Sequence, residues 1–142
     1  MQRKIYFAAA IRGSREDIEV YQQIIAILKK YGTVLTEHIG DVAVGAEGDP
    51  NLTKQEIRDR DLAWLAEATH CVAEITQASL GVGYELALVE QREMPFVGFH
   101  RQIPSKVSAM LCGHFFDGKL KYYDLHNFDI LEKDLDKFFA DA

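Results

Sequence analysis

Short apolar runs alternate with longer stretches of helical periodicity along this chain of 142 residues, and this alternation constrains the fold most strongly. A strand, a covering helix and a second strand in succession favour a parallel sheet with helices on both faces. We therefore predict one α/β domain over residues 1–142, with a five-stranded parallel sheet in a Rossmann-like or flavodoxin-like three-layer sandwich. The predicted strands cover residues 4–11, 33–38, 70–76, 94–100 and 119–125.

The segments between these strands carry helix signals. Ser14 can cap a first helix that Gly32 ends, and Thr53 with Glu56 forms a capping box for a helix through about Ala68. The other predicted helices follow the turn 77–83 and cover residues 84–93, 104–113 and 129–139. In the last helix, the residues expected to face inward are Ile130, Leu131, Leu135, Phe138 and Phe139.

Composition limits the partners of this chain. A formal net charge of −6 argues against a general attraction to a nucleic acid polymer or an anionic membrane. The apolar run before Arg12 is far too short to span a bilayer. Cys71 and Cys112 stand alone without CxxC spacing, which indicates reduced, buried thiols in a cytoplasmic protein. The histidines form no metal-binding pattern, so we expect neither a metal nor a cofactor.

Two turns are expected to form a binding edge. In doubly wound sheets the ligand lies beyond the C-terminal ends of the strands, where the strand order reverses. That rule selects the turns after the first and third strands. Arginine and backbone N–H groups at helix starts can hold an anion, although an arginine in a turn is also an ordinary surface residue. The residues concerned are Arg12, Gly13, Ser14 and Arg15 in one turn, and Ser79 and Gly81 in the other.

Glu85 stands out within the stretch SLGVGYEL. If the helix starts near Val82, then Glu85 shares a face with Val82, Leu88 and Val89. An ionised carboxylate among apolar neighbours is costly unless it is paired, hydrogen-bonded or used in chemistry. Glu85 is therefore either a carboxylate that stabilises the helix N-terminus or a reactive group. The segment SLGVG is equally consistent with a tight turn in which Gly81 and Gly83 serve close packing.

Asp61 is the second unusual acid. It lies at helical spacing from Ile57, Trp64 and Leu65, which places it on the apolar stripe of its helix. It either caps or ion-pairs with an internal group, or it faces the same pocket as Glu85. Two carboxylates with separated pKa values at one site are typical of enzymes that cleave glycosidic bonds.

Five segments occur in order along the chain: YFAAAIRGSRED, YGTVLTEH, DLAWL, VAEITQASLGVGYEL and KVSAM. Together they closely resemble the 2'-deoxynucleoside 5'-phosphate N-hydrolases, within the nucleoside 2-deoxyribosyltransferase superfamily, over roughly residues 4–140. The resemblance implies a homodimeric hydrolase without a cofactor, which releases the base from a small-molecule 2'-deoxynucleoside 5'-monophosphate.

The resemblance also implies residue roles. Glu85 matches the nucleophile, which attacks C1' of the deoxyribose and gives a glycosyl-enzyme that water hydrolyses. Asp61 matches the acid that assists base departure and then activates water, and Tyr6 matches a tyrosine that orients Glu85. The implied substrate-binding residues are Ala9, Ala10, Ile11, Arg12, Gly13, Ser14, Arg15, Ser79, Gly81, Ser108, Ala109 and Met110. Ser108 and Met110 would come from the neighbouring subunit of the dimer.

The chain departs from the family pattern at Ala9 and Ala10, where relatives carry a Gly-Ser pair. One hydroxyl that would contact phosphate and one close backbone approach are thereby lost. Three alternatives to the hydrolase remain open: a true nucleoside 2-deoxyribosyltransferase, an N-glycosidase of ribonucleotides such as CMP, and a nucleotide-binding module without turnover. The Gly-, Asp- and Pro-rich loop 40–52 is expected to act as a lid or binding segment.

Overall fold

A computed structural model describes residues 2–11, 15–40 and 50–141, with only the backbone of Arg15 included. Its sheet has five parallel strands in the order β2-β1-β3-β4-β5, which confirms the predicted fold class. The order reverses between β1 and β3, and this point is where doubly wound sheets bind their ligands. The strands are β1 (Lys4–Ala9), β2 (Thr33–Val34), β3 (His70–Glu74), β4 (Phe96–His100) and β5 (Leu120–Tyr122).

Four α-helices cover the two faces of the sheet. They are α1 (Arg15–Leu28), α2 (Lys54–Glu67), α3 (Leu80–Gln91) and α4 (Asp129–Asp141). Successive strand residues point to opposite faces. In β1, Ile5 and Phe7 accordingly pack in the core with α1 and α4. Tyr6 and Ala8 pack in the core with α2 and α3, so the tyrosine lies on the same side of the sheet as Glu85.

The second strand is shorter than predicted. Only Thr33 and Val34 pair with β1, and the chain then enters a 3-10 turn at Glu37–Gly40. The Thr36 hydroxyl accepts a hydrogen bond from the Phe7 N–H at 2.9 Å and donates one to the Phe7 carbonyl at 2.7 Å. The Thr36 side chain thus replaces the backbone hydrogen bonds between β2 and β1 at this point. Hydrophobic periodicity does not predict such a replacement. The other four strands also end within the predicted limits.

The predicted helix 104–113 is wrong. Two separate 3-10 turns occur there, at Pro104–Lys106 and Ala109–Leu111. Val107 is extended between them, and the Ser108 hydroxyl starts the second turn by accepting from the Met110 N–H at 3.3 Å. A serine that binds the backbone locally competes with helix continuation.

Several smaller expectations are corrected. Ile130 is 60% exposed in the first turn of α4, so it does not face inward with Leu131 and Leu135. Cys71 is buried as expected, but Cys112 is exposed. Helix α1 ends at Leu28 instead of continuing to Gly32. The Ser14 cap and residues 41–49 of the loop 40–52 lie outside the described residues. No helix in the described ranges is long and apolar enough to cross a membrane.

Candidate active site

A pocket of about 460 Å³ opens between α2 and α3, beside the C-terminal end of β1. Both acids that the sequence singles out line it, Asp61 from α2 and Glu85 from α3. Asp61 and Glu85 each lie on the helix face that the hydrophobic periodicity of the sequence predicts. The other predicted residues that line the pocket are Tyr6, Ala9, Ile11, Ser79 and Gly81.

The Tyr6 hydroxyl donates a hydrogen bond to Oε2 of Glu85. Tyr6 is held firmly because it lies in β1 and is only 1% exposed. Its phenol therefore fixes one carboxyl oxygen of Glu85 and leaves the other free to meet a ligand. Val82 and Val89, which share the face of Glu85, are buried beneath it as expected.

Burial raises the pKa of Glu85 from 4.5 to about 7, because the ionised form loses solvation between α3 and the sheet. The donor from Tyr6 acts in the opposite direction, since a hydrogen bond to a carboxylate favours its charged form. Glu85 therefore changes its protonation state near neutral pH. A carboxyl group poised in this way can serve as a nucleophile or a base.

Asp61 forms an ion pair with its neighbour Arg60, with the Arg60 Nε atom 3.1 Å from the Asp61 Oδ1 atom. Both side chains are about one-quarter exposed, at 23% and 27%. Asp61 therefore forms a salt bridge and also lines the same pocket as Glu85. The two interpretations of this residue are compatible, because the ion pair lies in the pocket wall. In this pair Asp61 is a hydrogen-bond acceptor.

The guanidinium of Arg60 has two further contacts. It lies over the Trp64 ring, with its carbon 4.9 Å from the ring centroid. Its Nη2 atom lies 3.2 Å from Nε2 of His38, which follows β2. Since a guanidinium can only donate, Nε2 of His38 accepts in this contact. The His38 and Trp64 rings are also close, with centroids 5.4 Å apart.

The N-terminus of α3 forms another wall of the pocket. The Ser79 hydroxyl caps the helix by accepting from the Val82 N–H at 3.2 Å. The helix thus begins at Leu80, before the predicted start at 84. Among the described residues, a Cβ atom on Gly81 would meet only Ser79 Oγ, at 3.8 Å, and one on Gly83 would meet nothing within 4 Å. Close packing against the described residues therefore does not account for these glycines.

The remaining predicted residues either lie away from this pocket or fall outside the described part of the chain. Ala10 is buried at 2% exposure and is not part of the lining. Ser108, Ala109 and Met110 are exposed and lie outside the lining, with Met110 at 84% exposure. Arg12, Gly13 and Ser14 lie outside the described residues, as does the side chain of Arg15.

Several residues that line the pocket were not predicted from the sequence. Arg60 and Tyr84 directly precede the two acids, which is the signal that could have identified them. Arg58 donates to the Tyr84 hydroxyl at 3.1 Å and bridges α2 to α3. The other unpredicted lining residues are His38, Ile39, Ile57, Leu62, Leu80 and Val82. Within the described part of the chain, no three His, Cys, Asp or Glu side chains group as a metal ion would require.

Comparisons with known proteins agree with the resemblance seen in the sequence. The family model described as nucleoside 2-deoxyribosyltransferase matches residues 5–121. A Trichoplax adhaerens protein, whose name assigns it provisionally to the 2'-deoxynucleoside 5'-phosphate N-hydrolases, is 40% identical over 140 residues, covering 98% of this chain and 94% of its own. The 5-hydroxymethyl-dUMP N-hydrolase of Homo sapiens is 38% identical over 137 residues, covering 95% and 78%.

The mouse 5-hydroxymethyl-dUMP N-hydrolase is 41% identical over 122 residues, covering 84% of this chain and 70% of its own. Among solved structures, the CMP N-glycosidase of Clostridium botulinum superposes with a TM-score of 0.68 and covers 96% of this chain and 99% of its own. Its sequence identity is 13%, so this likeness supports the fold alone.

Proposed function

Because the chain belongs to the nucleoside 2-deoxyribosyltransferase family, we propose that it hydrolyses the N-glycosidic bond of 2'-deoxynucleoside 5'-monophosphates. The products would be the free base and 2-deoxyribose 5-phosphate. The names of the relatives support a nucleotide N-glycosidase. The observation that carries the proposal for this chain is the hydrogen bond from Tyr6 to Glu85, in a pocket that Asp61 also lines.

The proposed reaction is a double displacement. A Glu85 oxygen attacks C1' as the C1'–N bond breaks, and the base leaves with the bonding electrons and a proton donated by the protonated form of Asp61. This step gives a glycosyl-enzyme ester with inverted configuration at C1'. Water then attacks C1', Asp61 accepts a proton from it, and Glu85 is released as a carboxylate. Two inversions give overall retention, as in retaining glycosidases.

The phosphate of the substrate is assigned to the N-terminal end of α3. Backbone N–H groups at a helix start favour an anion. Ser79 and Gly81 line the pocket there, and the open space over Gly81 leaves room for close approach of the ligand to the backbone. Arg12 to Arg15 in the turn after β1 are proposed to complete this site, with Ala9 and Ile11 beside the sugar.

The test is release of free base from a panel of 2'-deoxy and ribo 5'-monophosphates and their nucleosides, followed by chromatography. We expect base from the deoxynucleotides only. Exchange products after addition of an acceptor base would favour a deoxyribosyltransferase, and release from CMP would favour the ribonucleotide alternative. Binding without release from any of them would overturn the proposal in favour of a binding module.

We further propose that two copies of the chain share each active site. Leu80, at the rim of the pocket, is 97% exposed, and Met110 is 84% exposed. Contiguous exposed apolar side chains mark protein–protein contacts, and the proposal places Leu80 and Met110 in one such contact between subunits. A partner subunit that covers them could also bring Ser108 to the phosphate of the other chain, as the family resemblance implies.

Subunit mixing tests this shared site. Glu85→Gln and Ser108→Glu are each expected to be inactive, the second because its charge repels phosphate. Random exchange makes half of the dimers mixed, and each mixed dimer has one intact site of two, so about a quarter of wild-type activity should return. No recovery, with exchange confirmed by mass spectrometry, would contradict a site built across the interface.

A further inference from the structure

The wall that α2 contributes to the pocket carries a guanidinium with unused hydrogen-bond donors. If the phosphate binds at the start of α3, then the base extends toward α2 and His38. Two arginines of α2 line the described part of the pocket, Arg58 and Arg60. Arg58 is already engaged with Tyr84, since it donates to the hydroxyl and lies 5.3 Å from the ring centroid. Arg58 is exposed, whereas Arg60 is about one-quarter exposed and ion-paired with Asp61, so Arg60 is the arginine placed to meet the base.

Arg60 is fixed before any ligand arrives. Its Nε donates to Asp61, one Nη2 donor faces His38, and its plane stacks on Trp64. A guanidinium has five N–H donors and no acceptor. Among the described residues, no acceptor is found for the donors on Nη1. A group held in one orientation loses little further entropy when it binds, so these donors form a preorganised recognition element.

The substituents of a pyrimidine determine which bases the Arg60 guanidinium can distinguish. Position 4 of the ring lies opposite N1, so its substituent reaches farthest from the sugar. In a uracil-type base this substituent is a carbonyl oxygen, which accepts hydrogen bonds. In a cytosine-type base it is an amino group, which donates them and would leave both itself and the guanidinium without partners. Unpaired donors in a partly buried site are costly, so the two bases should differ in affinity.

We propose that Arg60 selects the base, favouring 2'-deoxynucleotides with a 4-oxo pyrimidine over those with a 4-amino pyrimidine. This inference rests on the proposed function, because it assumes that a nucleotide occupies the pocket with its phosphate at α3. Arg60 acts here as a specificity-determining residue, and its ion pair with Asp61 places it beside the reacting centre.

The decisive experiment measures equilibrium binding, so it does not depend on turnover. Binding of dUMP and dCMP to the Glu85→Gln variant is compared by calorimetry with binding to the Glu85→Gln, Arg60→Gln double variant. We expect the first protein to bind dUMP about 10- to 100-fold more tightly than dCMP. The second should show a preference within about twofold, mainly because its dUMP affinity falls.

The control variant is Arg92→Gln, the same change at an exposed arginine after α3, which should leave the preference intact. Arg60→Met provides a second test, because it keeps packing on Trp64 without any donor. Thermal melting of each variant shows whether it is folded.

An unchanged preference, or an equal loss for both nucleotides, would overturn the role of Arg60. If wild type releases base while the preference for dUMP over dCMP does not depend on Arg60, then the proposed function stands and this inference fails. If wild type releases no base while the preference depends on Arg60, then the inference stands and the hydrolase proposal fails. Failure of the folded protein to bind either nucleotide would overturn both.

Discussion

Glu85→Gln should lower base release from 2'-deoxynucleoside 5'-monophosphates by at least about 10³-fold, because the amide cannot attack C1' to form the ester intermediate. The substitution keeps the shape of the side chain, and its carbonyl oxygen can still accept from Tyr6. The variant should also fold at least as well as wild type at pH 8, since a neutral amide avoids the cost of burying charge. Steady-state kinetics and thermal melting measure the two effects.

The matched control for this variant is Glu90→Gln, the same change at an exposed position of α3, which should leave kcat/KM within about twofold of wild type. Activity of Glu85→Gln within tenfold of wild type would contradict the nucleophile assignment.

The pH profile gives an independent view of Glu85. The nucleophile must be ionised, and burial raises its pKa to about 7. Wild-type kcat/KM should therefore fall about tenfold per pH unit below about 7 and level off above it. Tyr6→Phe removes a donor that favours the carboxylate, so this limb should move to higher pH. A limb that stays in place would show that Tyr6 does not tune Glu85.

The second large effect concerns folding. Arg101→Met should lower the free energy of unfolding by about 3 to 5 kcal/mol, the usual cost of removing one partner from a buried ion pair. Arg101 Nε lies 3.1 Å from Oε2 of Glu74, whose side chain is fully buried at the end of β3. Its Nη2 atom also ion-pairs with Asp17 in the first turn of α1. Without Arg101, both acids would lose this cation in a poorly solvated place.

The Glu74 carboxylate has additional donors that keep it in position. The Thr76 N–H donates to it at 2.6 Å, and the Tyr123 hydroxyl donates to its other oxygen. These bonds remain in Arg101→Met, so the lost free energy reports mainly on the removed charge. Urea denaturation measures it, with Arg92→Met as the exposed control, for which a change within about 0.5 kcal/mol is expected. Equal costs for the two variants would contradict a structural role for the buried pair.

This buried cluster also has a bearing on the active site. It joins the start of α1 to the ends of β3 and β4. A residue such as Arg101 thereby holds the beginning of α1 in a fixed place relative to the sheet. We expect the proposed phosphate site to depend on that placement.

The order of elements and the inward acids were predictable because both follow from local periodicity. Hydrophobic spacing placed Asp61 on the apolar stripe of α2 and Glu85 on the face of Val82 and Val89, whereas Tyr6 was implied only by the family resemblance. The capping box at Thr53 and Glu56 marked the start of α2 correctly. Signals of this kind extend over a few residues and survive tertiary packing.

What periodicity missed depends on contacts between distant residues. Thr36 ends β2 early by bonding to Phe7, 29 positions away in the sequence. Arg60 becomes part of the pocket through His38, which is 22 positions away. The cluster of Arg101, Glu74 and Asp17 joins three separate elements, so no single stretch of the sequence predicts it. The roles assigned to Ser108 and Met110 concern a second subunit and stay predictions.

The central claim is that Glu85 forms a covalent bond to C1' of the substrate. The most direct measurement is the intact mass of the Asp61→Asn variant, quenched with acid within the first turnover on its best deoxynucleotide. Loss of the residue proposed to activate water should slow hydrolysis of the intermediate. We expect a mass increase of one deoxyribose 5-phosphate less one water, located on the peptide that contains Glu85. Release of base by this variant without any such adduct, or an adduct on another residue, would contradict it.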